Sequence, residues 1–321
     1  MLALDRVSKT YRVGLLGGQE LRAVRDVSFD LHAGEVVSLI GESGSGKSTI
    51  GKMILRLLAV NGGSIALDDV DVSGLRGSEL RAYYRRVQGV FQDPYSSCNP
   101  IFKVDHLFSV LRDVYFPGLG EAEWRQRQTA SLEAVNLEPG QVLHKYPHQL
   151  SGGQLQRLLI ARALILETEF LVADEIISML DASTRIDVLN LLGDLKVSGL
   201  GILFITHDLS LGNYISERTV ILRQGRIVEM GATAKVFGNP LHPYTKMLLA
   251  SVPHLHDRWG KEGEVAAAWA AAAAAAASEP CLYHAAFPAG SERPGVARPA
   301  LATIEPDHLV GCCRADGEGA C

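Results

Sequence analysis

The sequence predicts an α/β fold, a mainly parallel sheet flanked by helices, and three observations carry that prediction. Short apolar runs alternate with longer helical patterns over the first 235 residues. Val36-Val37-Ser38-Leu39-Ile40 has the nearly unbroken apolar character of a strand buried on both faces. A glycine-rich turn follows at once, and then Ile50, Met53, Ile54, Leu57 and Leu58 recur at helical spacing.

Further strands are expected at Val87–Gln92, Phe170–Asp174, Gly201–Thr206 and Thr219–Arg223. Gln224-Gly225 turns the last of these into a hairpin with Ile227-Val228-Glu229. The pattern between about 93 and 169 is mostly helical, which suggests an inserted helical subdomain. Residues 1–235 are therefore expected to form one domain, and 236–321 a C-terminal extension. In that extension an alanine tract from Glu264 to Ser278 reads as a linker or a loosely packed helix, because alanines bury little.

Composition excludes several classes. The 321 residues are 47% hydrophobic and 21% charged, with a net charge of −5. Such a chain has ample core, and it lacks the basic excess of a protein that lives on nucleic acid. No apolar run approaches the ~18 residues of a membrane span, and the N-terminus reaches a charge too soon for a signal peptide. Four of the five cysteines, Cys281, Cys312, Cys313 and Cys321, crowd the far end, unlike a secreted disulfide framework.

Gly41-Glu42-Ser43-Gly44-Ser45-Gly46-Lys47-Ser48, followed by Thr49, matches G-x-x-x-x-G-K-[ST]. Glycines let backbone N–H groups converge on phosphate oxygens, and the next helix adds the positive end of its dipole. Lys47 is placed to reach the β- and γ-phosphates, and the Ser48 hydroxyl to ligate Mg²⁺. Phe170–Ala173 is an apolar strand ending in Asp174 and Glu175. Asp174 suits Mg²⁺, and Glu175 suits proton abstraction from an attacking water. Leu150-Ser151-Gly152-Gly153-Gln154 opens a second helix with an N-cap serine and two glycines, another anion site. One nucleotide does not need two such termini from one subunit, which points to a dimer whose signature loops each close on the partner's γ-phosphate.

With Gln92 and His207, these motifs stand in the order of an ABC-type ATPase, which residues 1 to about 250 resemble. The resemblance implies a P-loop NTPase core that binds ATP and Mg²⁺. It also implies that Gln92 touches Mg²⁺ and reports to membrane subunits, and that His207 contacts the γ-phosphate. Asp181 resembles the residue that communicates across the dimer, and Tyr11 the aromatic that stacks on adenine. Ile176-Ile177 stand where the family usually has Pro-Thr, and Met179 where it has Ala. Every charged group is kept, so hydrolysis is expected to survive.

Two segments narrow the branch. Phe91 to Pro100 and Asn239-Pro240-Leu241-His242-Pro243-Tyr244-Thr245 resemble dipeptide and oligopeptide importers, although nickel and some oligosaccharide importers share this architecture. The resemblance implies two integral membrane permease subunits, a second ATPase subunit (identical or a paired relative) and an extracytoplasmic binding protein. It implies a peripheral place on the cytoplasmic face of the membrane, with no nucleic acid partner. Relatives often carry four tail cysteines that can hold an iron–sulfur cluster. Here Phe287 and Pro294 stand where the two middle ones would be, and Cys312 and Cys313 are adjacent, so the expectation is against a cluster. The tail is then expected to be held by apolar contacts or none, and loss of 266–321 to spare ATPase activity.

Rival readings fit less well. About 59 residues separate Gln92 from Ser151, too few for the coiled-coil arms of a chromosome-maintenance ATPase. Only one cassette is present, against the two of a translation-factor relative, and no Asn-Lys-x-Asp motif marks a GTPase.

Overall fold

The computed structural model describes residues 1–13, 18–251, 281–286 and 300–312. The central parallel strands are β3 (Val36–Ile40), β6 (Val87–Val90), β7 (Phe170–Asp174) and β8 (Gly201–Thr206), together with β9 (Arg218–Arg223). Strand β10 (Arg226–Ala232) folds back antiparallel on β9, as the Gln224-Gly225 turn predicts. Beyond it come β11 (Leu301–Glu305) and β12 (His308–Gly311), giving the order β11-β12-β10-β9-β3-β8-β7-β6.

The two faces of this sheet bury different partners because side chains alternate along each strand. Leu171, Ala173, Ile202 and Phe204 face the core built with α3 (Val104–Tyr115), α4 (Glu121–Glu133), α6 (Gly152–Leu164) and α7 (Ala182–Val197). Phe170, Val172, Leu203 and Ile205 face the other core, with α1 (Lys47–Ile54). A strand covered on both faces has no polar side to show, which is why these segments read as apolar runs.

A second sheet, absent from the sequence-based expectation, covers α1. It is antiparallel, with β1 (Leu2–Val13), β2 (Gln19–Leu31), β4 (Gly62–Leu67) and β5 (Val70–Asp71) in the order β2-β1-β4-β5. Register shifts along the β1–β2 ladder break the strict period-two pattern that would have marked these strands.

Three local expectations need correction. Strand β6 ends at Val90, two residues before Gln92. Helix α1 stops at Ile54, and Leu57 is 57% exposed, because the chain turns at Arg56 with a φ of 53°. The C-terminal hairpin is not held by apolar contacts alone: β12 pairs with β10 through Glu229–Val310, Met230–Leu309 and Gly231–His308, extending the eight-stranded sheet itself. The short helix α11 (Leu282–Ala286) packs against that hairpin around Tyr283, Ala302 and Val310. The alanine tract, Phe287, Pro294, Cys313 and Cys321 lie outside the described residues.

Candidate nucleotide site

Gly41–Ser48, Asp174, Glu175 and His207 collect where parallel strands end, the usual location of ligand sites in such sheets. The loop Gly41–Gly46 joins β3 to α1. Gly46 takes a φ of 107°, and a Cβ there would lie 2.5 Å from the Ala23 carbonyl oxygen on β2, so only glycine fits. Ser43 and Gly44 are exposed at the tip, while Ser45 is buried. Gly225, in the β9–β10 turn, donates its N–H to the Ser45 carbonyl at 2.8 Å.

Lys47 is 4% exposed, and its Nζ donates to the carbonyls of Gly41 and Glu42 at 2.7 and 2.8 Å. Burial pulls its pKa below the ordinary value, while the carboxylates of Glu175, Asp174 and Glu42 oppose that pull. Ser48 Oγ donates to Asp174 Oδ1 at 3.1 Å. Burial raises the Asp174 pKa, partly offset by that hydrogen bond. Thr49 follows half-buried on α1.

Glu175 leaves β7 in a left-handed conformation with a φ of 51°. Its N–H donates to the Ile205 carbonyl at 3.0 Å, and its Oε1 lies 3.2 Å from His207 Nδ1. Gln92 is exposed; because Val90 pairs with Ala173, the chain leaves the sheet beside the Asp174–Glu175 end of β7. Ile176 and Ile177 are 1% and 2% exposed in the helical core, so the departure from Pro-Thr contributes packing; Met179 is exposed.

Ser151 caps α6, accepting from Gln154 N–H, while Gln154 Oε1 accepts from Ser151 N–H. Asp181 caps α7 by accepting from the Thr184 N–H and from the Ser183 and Thr184 hydroxyls. These bonds hold its carboxyl down to about 2. The two caps touch: a Cβ on Gly153 would lie 2.5 Å from Thr184 Cγ2, whereas Gly152 faces Leu180. Their hydrogen bonds run within these caps and not to the Lys47 cluster. Tyr11 pairs with Leu21 on β2, two residues from the Ala23 carbonyl that meets Gly46, and Lys9 Nζ sits 5.6 Å from its ring centre.

One site neighbour escaped the sequence reading. Within the Asn239–Thr245 segment, His242, Tyr244 and Thr245 are 2%, 3% and 0% exposed. Tyr244 Oη accepts from the Glu42 N–H at 3.3 Å, and burial pushes its pKa up to about 12. The signal available was an aromatic inside a Pro-bounded apolar helix start, which marks burial but not its target.

The ABC transporter family profile matches residues 24–178, and that of the oligopeptide/dipeptide transporter C-terminal region matches 228–288. A protein of Brucella ovis bearing the name peptide import ATP-binding protein is 39% identical over 298 residues, covering 92% of each chain. The glutathione import ATP-binding protein of Salmonella paratyphi A is 44% identical over 237 residues, 73% of this chain and 38% of that one. The ATP-binding cassette MJ0796, solved as a post-hydrolysis dimer with ADP and Pi, superposes with a TM-score of 0.65 at 30% identity, over 73% of this chain and 99% of the cassette. A two-sheet P-loop core, a carboxylate pair beside its lysine and a Brucella ovis relative matched along nine-tenths of its length have one common explanation: the chain belongs to the ATP-binding subunits of ABC transporters, in their oligopeptide/dipeptide branch.

Proposed function

We propose that this subunit hydrolyses ATP to drive import of peptides through a pair of membrane permease subunits. The observation that carries the catalytic part is the convergence of Lys47, Ser48, Asp174, Glu175 and His207 at the ends of β3, β7 and β8. The cradle suits a phosphate-bearing ligand: Ser45 Oγ is buried without a hydrogen-bond partner, and the Lys47 ammonium is buried on backbone carbonyls. The oxygen donors Ser48, Asp174 and Gln92 would hold Mg²⁺, a hard cation that neutralises charge on the phosphates when bound.

In this reading Lys47 passes from the Gly41 and Glu42 carbonyls to the β/γ-phosphates, an exchange of neutral acceptors for charged ones. Glu175 takes the proton from the attacking water, with His207 Nδ1 beside it to orient the carboxylate, which leaves the other ring nitrogen to meet the γ-phosphate. Ser151, Gly152, Gly153 and Gln154 serve the partner's nucleotide in a closed dimer, with Asp181 coupling the two halves. Their caps bond within themselves and not to the Lys47 cluster, which supports that arrangement. Tyr11 stacks on adenine.

A groove formed in part by the segment that follows Gln92 in sequence suits a permease helix. It is lined by Cys98, Phe102, Val104, Leu107, Val110 and Leu158, with Ile101 77% exposed nearby. No helix among the described residues is long and apolar enough to cross a membrane. Membership among ABC import ATP-binding subunits supports a peripheral place on the cytoplasmic face. An extracytoplasmic binding protein would deliver cargo. Cys281 and Cys312 both pack on the small tail cluster around Tyr283, Ala302 and Val310.

Proteoliposomes containing the two permeases and this subunit test the reading. ATP-driven uptake of a labelled di- or oligopeptide is expected, supplied by its binding protein. Uptake of nickel or an oligosaccharide in place of peptide would transfer the same ATPase role to another cargo.

A further inference from the structure

The C-terminal region reaches the phosphate-binding loop through one buried side chain. Helix α10 (Pro243–Ala250) places Tyr244 beneath the loop, where its Oη accepts from the Glu42 N–H. The Arg223 guanidinium lies 5.0 Å from the Tyr244 ring centre. The limb held in this way is also the one whose carbonyls, Gly41 and Glu42, receive Lys47 Nζ. From the other side, Gly225 holds Ser45. The loop is therefore tethered at its second and fifth residues.

Tyr244 is in turn fixed from the tail. Its N–H donates to His242 Nδ1 at 3.0 Å, which caps α10. The N–H groups of Leu241 and His242 donate to the two oxygens of Glu229, each at 2.8 Å. Glu229 is fully buried on β10, and its Oε1 also accepts from His308 Nε2 at 2.7 Å. His308, fully buried as well, comes from β12. A carboxylate shut off from water is thus satisfied by two donors from the turn before α10 and one from the hairpin. Losing any donor leaves an expensive buried acceptor and a reason for the turn to move.

We propose that Tyr244 is a positioning residue for the phosphate-binding loop, set through Glu229 by His308, so that docking of the C-terminal hairpin tunes nucleotide affinity. This deepens, and rests on, the ATP-site reading above. When phosphates draw Lys47 away, the Gly41 and Glu42 carbonyls lose their donor, and the limb keeps its shape through the Tyr244 tether. A limb without it must be ordered on binding, which weakens affinity.

The test uses the full chain, with the Kd for Mg-ATP measured by displacement of a fluorescent ATP analogue and kinetics measured in the assembled transporter. Tyr244→Phe removes one hydroxyl and keeps the ring. Its loss is expected to raise Kd and KM for ATP about 3- to 10-fold, the worth of one neutral hydrogen bond, with a smaller change in kcat. His308→Ala should raise Kd comparably, and adding Tyr244→Phe to it should cost less than about twofold more, because both act along one path. His308→Gln, which keeps a donor for Glu229, should restore affinity. An unchanged Kd in Tyr244→Phe, or fully multiplicative losses in the double variant, would overturn the proposal. If His308→Ala yields no folded chain, the Tyr244→Phe constant alone decides. A wild-type chain that binds no Mg-ATP would overturn the ATP-site reading instead.

Discussion

Glu175 and His207 meet across the ends of two neighbouring parallel strands, with Oε1 3.2 Å from Nδ1. The contact depends on backbone more than on side chains. Asp174 and Ile205 are partners in the β7–β8 ladder, and the Glu175 N–H then crosses to the Ile205 carbonyl as the chain turns left-handed. A glutamate in that region is strained by about 1 kcal/mol or more, and strain held at a strand end is typical of a site that must aim one group.

Replacing that group should separate binding from turnover. Glu175→Gln keeps the shape and removes the base, so ATP binding should stay near wild type while hydrolysis falls roughly 10²–10⁴-fold. The variant should accumulate as an ATP-bound closed dimer, seen by size-exclusion chromatography. Turnover within threefold of wild type in the assembled transporter would remove Glu175 from the role of base.

Lys47 presents the opposite case. Its ammonium sits among the carboxylates of Glu175, Asp174 and Glu42. Lys47→Ala deletes the positive charge and leaves three negative ones facing the phosphates. Nucleotide affinity should drop at least tenfold by titration calorimetry, and transport should cease. Unchanged affinity would count against the whole cradle.

Deleting residues 266–321 should now be costly, contrary to what the tail's composition suggested. The deletion strips β12 from β10, exposes a sheet edge and leaves Glu229 without His308. Breaking a buried pair by removing one partner costs about 3 kcal/mol or more. A clearly lower melting temperature and weaker ATP binding are expected, by scanning calorimetry and nucleotide titration. A truncated chain that melts with the full one would show that the ladder adds nothing.

The parallel core and the phosphate cradle were legible because each is written in contiguous residues. Val36–Ile40 and Gly201–Thr206 are apolar but for Ser38 and Thr206, and Gly41–Ser48 needs its glycines in fixed order. The antiparallel sheet was not legible: Arg6 and Asp26 have φ of 47° and 53°, at irregularities that shift which side chains face inward. Nor was the C-terminal network, since Glu229, His242 and His308 lie far apart and each alone passes for a surface residue. A buried carboxylate satisfied by two backbone amides and an imidazole exists only once β12 has paired.

That network also predicts a pH dependence. Burial, reinforced by the nearby Arg223 cation and opposed by the Cys312 backbone carbonyl, pushes the His242 pKa down to about 4 from the ordinary 6.5. Above pH 6.5 the side chain is neutral in both folded and unfolded chains and adds no pH dependence. As pH falls from 6.5 toward 4, the unfolded chain takes up a proton that the folded chain refuses. Stability therefore declines by up to about 1.4 kcal/mol per unit, approaching roughly 3 kcal/mol in all. His242→Asn keeps an acceptor for the Tyr244 N–H at the start of α10 but cannot titrate. The variant should start somewhat less stable at pH 7.5, yet lose less melting temperature than wild type between pH 6.5 and 4.5. Parallel melting curves across that interval would mean that His242 takes up its proton equally in both states, and that its burial has no bearing on acid stability.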